Sequence, residues 1–302
     1  MEVSYQNIFQ KHSRRIFIGT ILVLLAANIF TWYVIFSENR GEVLTVAFLD
    51  IGQGDSIFIE APNGNQIIFD GGPNGKILSE LGKLMPFYDR KIDMIVVTNP
   101  DQDHFAGFID LLSRYKIEKF MEPGTKSGAS SYRDLEKAVG DQKAEKIIAK
   151  RGMKIELDRE HSIYIEILFP DSDVSKEKTN EGSIVARLTY GDTSFMLTGD
   201  SIKKTEDYLV ELDIKEDGVE DDLKSDVLKI GHHGSKTSTG ENFIEKVAPK
   251  YAVISNGKNN RYGHPNVETL DTLEKFNVKI LRTDQSGTIV MKSDGRFIDL
   301  VQ

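Results

Sequence analysis

Residues Ile92–His104 read IDMIVVTNPDQDH, and the fold follows from how they are parsed. Met94-Ile95-Val96-Val97 is a short, largely β-branched apolar run, the composition of a buried strand. It stops at Thr98-Asn99-Pro100, and proline cannot continue a central strand because it has no N–H for the ladder. Asp101, Asp103 and His104 therefore fall on the loop leaving the strand end, where open α/β sheets build their sites. Phe105–Arg114 then predicts a helix packing back on the strand. Oxygen and nitrogen donors gathered on one such loop point to a metal site. The plainer alternative is an Asp-rich turn that only caps the helix, since Asp and Asn are ordinary cap residues.

Upstream, Leu44–Leu49, Ser56–Glu60 and Gln66–Phe69 predict three strands, the last two joined by the hairpin dipeptide Asn63-Gly64. Gly52 and Gly54, between the first two, allow close backbone approach. Asp50, Asp55 and Asp70 lie at strand ends, placed to hydrogen-bond the imidazole of a metal-bound histidine, which needs such a partner. Downstream, Lys76–Leu84, Ser130–Val139, Ile202–Leu212 and Val267–Phe276 predict helices. Ile117–Met121, Ile163–Leu168, Ser183–Tyr190, Thr193–Leu197, Val227–Ile230, Tyr251–Asn256 and Lys279–Leu281 predict strands, with a final hairpin turning at Asp294-Gly295. Asp171–Glu181 reads as a polar loop near the site, and Glu211–Asp226 as an acidic, solvated linker.

Polar residues recur just past these strands. Asp200 follows Thr193–Leu197, where it can serve as a ligand or as a helix cap. His232 and His233 follow Val227–Ile230 and precede Gly234-Ser235-Lys236. If extended, adjacent histidines point in different directions, so one can ligate while the other meets substrate or an acid. His264 lies in Asn260-Arg261-Tyr262-Gly263-His264-Pro265.

TNPDQDH resembles the H-x-H-x-D-H signature of the metallo-β-lactamase superfamily, with Asp101 at its second position and Asn99 in place of its first histidine. Together with LDIGQGDSIFI, IIFDGG, LTGD, HHGS and NRYGHP, it resembles the hydrolase domain of the ComEC-type competence (DNA-uptake) proteins, in order through residues 43–302. The resemblance implies an α/β (α+β) fold, the metallo-β-lactamase-like αββα sandwich of two mixed β-sheets with outer helices. It implies one or two divalent ions, zinc or manganese, that activate water. The better-supported metal position would take Asp103, His104, Asp200 and one of His232 and His233, with His232 placed as the ligand. Asn99 and Asp101 would form the second. Asp103, His233 and His264 are the catalytic candidates, and Ser235 and Lys236 the substrate contacts. The carbonyl of Asn99 is a weak neutral ligand, so the second position is weak, takes a harder ion, or stays empty.

The chain has 302 residues and no cysteine, which excludes disulfides and thiolate zinc sites. Ile16–Phe36 is 21 residues without a charge, enough for a helix of about 30 Å to cross a bilayer core. Lys11, Arg14 and Arg15 precede it, so residues 1–15 are expected in the cytoplasm, residues 16–36 as a signal anchor, and residues 43–302 outside, on a single-pass cell-membrane protein. Beyond residue 40 the chain carries 34 basic and 45 acidic residues, net −11, so it has no global attraction for nucleic acid or anionic lipid. Three readings follow. The first is an extracytoplasmic metal-dependent phosphodiesterase or nuclease, with DNA or an envelope phosphodiester or lactone as substrate. The second is a silent, membrane-anchored binding module that Asn99 would explain. The third, a purely structural envelope protein, leaves the clustered His and Asp residues unexplained.

Overall fold

The computed structural model describes residues 2–38, 41–215 and 223–301, and the side chains of 14–32, 41–213 and 223–301. Much of the acidic linker expected at 211–226 lies outside the described residues. Met1–Gly41 and Glu42–Gln302 form two separate compact units. The first is helix α1 (Glu2–Glu38); its stretch Arg14–Trp32 is long and apolar enough to cross a membrane.

Period-two alternation builds the second unit. In β1 (Leu44–Phe48), Leu44, Val46 and Phe48 enter one apolar cluster while Ala47 enters another, as successive side chains of a strand must. The same holds in β3 (Gln66–Phe69), where Ile67 and Phe69 part from Ile68. Around these, β2 (Ile57–Glu60), β4 (Lys91–Val96), β5 (Lys116–Glu122), β6 (Glu145–Ile148), β14 (Ile289–Ser293) and β15 (Ile298–Leu300) complete an eight-stranded sheet of order 15-14-1-2-3-4-5-6. A seven-stranded sheet contains β7 (Lys154–Asp158), β8 (Ile163–Phe169), β9 (Val185–Tyr190), β10 (Thr193–Leu197), β11 (Val227–Lys229), β12 (Tyr251–Ile254) and β13 (Lys279–Arg282) in the order 13-12-11-10-9-8-7. Both sheets are mixed: β3-β4-β5-β6 and β10-β11-β12-β13 are parallel runs, and the remaining pairs are antiparallel.

Residues from both sheets share the central cluster. A second cluster joins the first sheet to α2 (Lys76–Leu84), α3 (Gln102–Leu112) and α4 (Tyr132–Gln142). A third joins the other sheet to α5 (Lys203–Lys215), α6 (Glu241–Val247) and α7 (Val267–Lys275). The one-turn α8 (Thr283–Ser286) leads into β14. The layers run helix, sheet, sheet, helix, as the motifs imply.

Two strands, β6 (EKII) and β7 (KIELD), were not legible in the sequence. Each is an edge strand with charged residues on its exposed positions, a common device against edge pairing; β6 shows no apolar alternation, and β7 alternates but offers only Ile155 and Leu157 between three charges. Helix α3 begins at Gln102 rather than Phe105, which places Asp103 and His104 on its first turn.

Candidate metal centre

Parallel strands deliver their C-terminal ends to one region, and the polar residues sit there. Asp70 ends β3 with φ 60. Its Oδ1 accepts the Thr98 N–H at 2.7 Å, and its Oδ2 accepts the Thr98 hydroxyl at 2.6 Å. The same Oδ2 lies 2.9 Å from His104 Nδ1, which donates to it and leaves Nε2 free. That Nε2 lies 3.1 Å from Asp200 Oδ2, in an approach not aligned as a hydrogen bond. Asp200 does not cap the following helix: α5 starts at Lys203, and the carboxylate faces His104 instead. Asp101 occupies the N-cap position of α3, yet its side chain caps nothing; its Oδ2 accepts the Thr179 hydroxyl at 2.9 Å.

The histidine pair is not extended. His232 and His233 both adopt the left-handed region, φ 47 and φ 54, in a tight turn after β11. His233 is buried and donates from Nδ1 to the Ser255 carbonyl at 3.0 Å. Its Nε2 then lies 3.4 Å from Asp103 Oδ2 and 3.5 Å from Asp200 Oδ1. His232 stands further out, with Nε2 3.9 Å from Asp200 Oδ2, and its Nδ1 is 3.0 Å from the Thr237 hydroxyl. His233, rather than His232, thus joins Asp103 and His104 in a group whose donor atoms lie within 4.8 Å of one another.

Three of these atoms, His104 Nε2, His233 Nε2 and Asp200 Oδ1, are buried without a hydrogen-bond partner among the described residues. Orphaned imidazole and carboxylate atoms that converge without bonding each other are a donor set that a divalent cation satisfies. The charges agree. Burial works against ionisation of both imidazoles, but Asp200 and Asp70 raise His104 well above the ordinary histidine range. Asp200 and Asp55 likewise raise His233 to about 10. Burial would lift Asp200, yet His104 and His233 hold it well below the carboxylate range. His264 is depressed by burial and by the neighbouring His232 and His233.

The remaining expected residues divide, and Asp55 stays with the cluster, its carboxylate within 4.8 Å of donors on Asp200 and His233 and on Asp70 and His104. Asp55 is buried, faces His233 Nδ1 at 3.3 Å and lies 3.9 Å from His104 Nδ1. Asp50 instead pairs with Lys76 at 3.1 Å. Asn99 is fully buried, and both ends of its amide are engaged: Nδ2 donates to Asn180 Oδ1 at 2.7 Å, and Oδ1 accepts the Asp101 N–H at 3.0 Å. Ser235 is buried within its own loop, and Lys236 is exposed; neither lines the central cavity, about 400 Å³, where Asp103, Asp200, His232, His233 and His264 meet. Gly54 explains the close approach read in the sequence: at φ 123, a Cβ there would lie 2.1 Å from the Asp103 carbonyl, whose oxygen accepts the Asp55 N–H at 3.3 Å.

Two buried charged residues beside the centre were missed. Lys229 is wholly buried in β11; its ammonium contacts Asp55 Oδ2 and donates to the Gly199 carbonyl at 3.0 Å. A lysine inside the otherwise apolar VLKI was the available signal. Glu206 on α5 accepts the Thr239 N–H at 2.8 Å and the Gly240 N–H at 2.7 Å, tying the helix after Asp200 to the loop after His233. Burial pushes its carboxyl up to about 7 despite those bonds.

An αββα sandwich with a His and Asp cluster at the strand ends defines the class, and the chain belongs to the metallo-beta-lactamase superfamily, whose family model matches residues 49–258. More particularly, it is 34% identical to ComE operon protein 3 of Bacillus subtilis (strain 168) over 276 residues, 86% of this chain and 34% of that protein. It is 28% identical to Recombination protein 2 of Haemophilus influenzae, over 85% of this chain and 30% of that one. It is 29% identical to Competence protein ComA of Neisseria gonorrhoeae, over 81% and 31%. The resemblance to ComEC-type proteins is thereby borne out, and the chain spans about a third of the length of these relatives. Among solved structures, the diiron beta-hydroxylase CmlA from Streptomyces venezuelae aligns with TM-score 0.52 at 12% identity, over 80% of this chain and 53% of that one, a likeness of fold.

Proposed function

We propose that the domain is a metal-dependent phosphodiesterase, held outside the cytoplasm by α1, with DNA or another polymeric phosphodiester as substrate. The observation that carries the reading is the approach of the buried, unbonded His104 Nε2 and His233 Nε2 to the Asp200 carboxylate, at 3.1 Å and 3.5 Å, with Asp103, Asp200 and His233 lining an open cavity. Asp103, His104, Asp200 and His233 would hold one divalent ion, with zinc and manganese both compatible with carboxylate–imidazole donors. Such an ion supplies Lewis acidity, making water a nucleophile at neutral pH and offsetting charge on substrate oxygens. The protein's own part is positional. Asp70 and the Ser255 carbonyl fix the Nδ1–H tautomers that turn Nε2 of His104 and His233 inward. His264, kept neutral in the cavity wall, is a proton acceptor beside the reacting group. The relatives named for competence and recombination support a nucleic-acid substrate.

The test uses the full chain in detergent, with metal content by elemental mass spectrometry and hydrolysis of phosphodiesters and lactones in parallel. Stoichiometric metal and phosphodiester turnover, both lost in Asp200→Ala, are expected. Bound metal without turnover on either substrate class would leave the binding-module reading, which the engagement of Asn99 by Asn180 favours. Failure to take up zinc or manganese would overturn both the centre and the chemistry.

A further inference from the structure

The central cavity does not end at the cluster. It shares Gly128 and Ala129 with a neighbouring cavity of about 620 Å³, and Gln53, Gln102, Asp103 and Tyr262 with another of about 580 Å³. The three cavities adjoin at those residues and together line a trough past the centre, and a substrate spanning them would be a chain extending to both sides of the group held there. Lys126 and Arg133 line one end and Arg261 the other. At the first end Glu122 and Glu136 also face the cavity, and Glu122 accepts the Tyr132 hydroxyl.

Where the trough leaves the centre, Tyr262 is 52% exposed and belongs to none of the three apolar clusters. Its ring stacks on His264, with centroids 5.7 Å apart and planes at 24°. The Arg261 guanidinium lies 5.0 Å from the ring centroid and donates to the tyrosine hydroxyl at 2.9 Å. Asn260, not the tyrosine, holds the loop: its Nδ2 donates to the Gly257 and His264 carbonyls, and its Oδ1 accepts the Tyr262 and His264 N–H groups. The aromatic ring is thus presented rigidly, at the cost of exposure, without being needed to fold its own loop.

We propose that Tyr262, braced by His264 and Arg261, is a stacking platform for one unpaired nucleobase beside the reacting phosphodiester, so that the trough takes single-stranded polynucleotide. This deepens the phosphodiesterase reading and rests on it for the chemistry beside the ring. An exposed aromatic face in a groove is a platform that suits single strands, because every base offers a π-face; Lys126 and Arg133, beside Glu122 and Glu136, and Arg261 at the other end are the cations within reach of a backbone. A duplex keeps its bases stacked on each other and offers none to the ring. A quaternary ammonium headgroup, which also favours aromatic faces, is repelled by the guanidinium already beside this one.

The test measures binding to the full chain in detergent with manganese present, by fluorescence anisotropy. The probes are a labelled oligothymidylate with hydrolysis-resistant phosphorothioate linkages, an abasic oligomer of equal length and linkage, and a blunt duplex. The wild type should bind the thymidylate more tightly than either other probe. Tyr262→Ala should weaken thymidylate binding by about 5- to 150-fold, the range for one base–aromatic stack, and leave abasic binding unchanged. Tyr262→Phe should restore it. Equal losses on both single-stranded probes, no loss on the thymidylate, or wild-type preference for the duplex or the abasic strand would each overturn the proposal. Turnover is read separately on ordinary linkages: base-dependent binding without hydrolysis supports the platform and refutes only the phosphodiesterase reading.

Discussion

Lys229 and Asp55 form an ion pair beneath the centre, with the lysine 0% and the aspartate 1% exposed. Burial alone would raise the Asp55 carboxyl, but Lys229, helped by His233 and His104, outweighs it and holds the group below the carboxylate range. Lys229→Met leaves that carboxylate buried without its cation, a loss that costs about 3–5 kcal/mol when one partner of a buried pair is removed. Asp55→Asn strands the ammonium in turn, with the Gly199 carbonyl as its remaining acceptor. Because the double variant removes both charges, it should be destabilised by less than the sum of the two, with a coupling of about 2 kcal/mol or more. The cycle is measured on the chelator-treated full chain in detergent, by urea unfolding followed by far-ultraviolet circular dichroism. Fluorescence would not serve, since the single tryptophan, Trp32, lies on α1 rather than in the domain. Effects that add to within about 0.5 kcal/mol would refute the view that the two charges are held for each other.

Asp70→Asn removes the carboxylate that fixes the His104 tautomer, and zinc affinity by competition with a chelating dye should fall about 10- to 100-fold; an unchanged affinity would show that His104 needs no such anchor. Asn99→Ala should leave the metal content unchanged while lowering stability by about 1–3 kcal/mol, because the buried amide braces the Asn180 and Asp101 segments; loss of metal would instead make Asn99 a ligand. Glu206 titrates at about 7 in the folded state against 4.5 in the unfolded chain. Its contribution is therefore fully present below pH 4.5 and is lost as pH rises through about 7, an amplitude of up to about 3 kcal/mol. Between about pH 5 and pH 8 the wild type should lose stability relative to Glu206→Gln; parallel profiles in chemical unfolding would contradict the placement of that carboxyl.

Much of the architecture was local in origin and so readable along the chain. Period-two alternation in Leu44–Phe48, the glycine and aspartate turns, and the arrest of an apolar strand at Pro100 are consequences of backbone sterics acting over a few residues. They were enough to place Asp70 and Asp200 just past strands and Asp103 and His104 on the segment that leaves β4, though not on the first turn of α3 where they sit, and the order of motifs was enough to imply the two-sheet sandwich. The signal thins at the edge strands: β6 has no alternation, and β7 alternates with only two apolar residues among three charges, so both look like loops.

Which polar residues face one another was settled by packing across distant segments. His233 joins the cluster and His232 stands outside it because two left-handed residues reverse the turn after β11, a conformation that nothing in HHGS declares. Asn99 reads as a weakened ligand along the chain, whereas Asn180, 81 positions away, turns its amide into a brace. Asp50 and Asp55 look alike in sequence; one finds Lys76 at the surface and the other Lys229 in the core. The chain by itself determined which donors arrive at the edge of the sandwich. Only the tertiary structure decided their partners, because a buried charge or imidazole takes its role from the few groups left to satisfy it once water is gone.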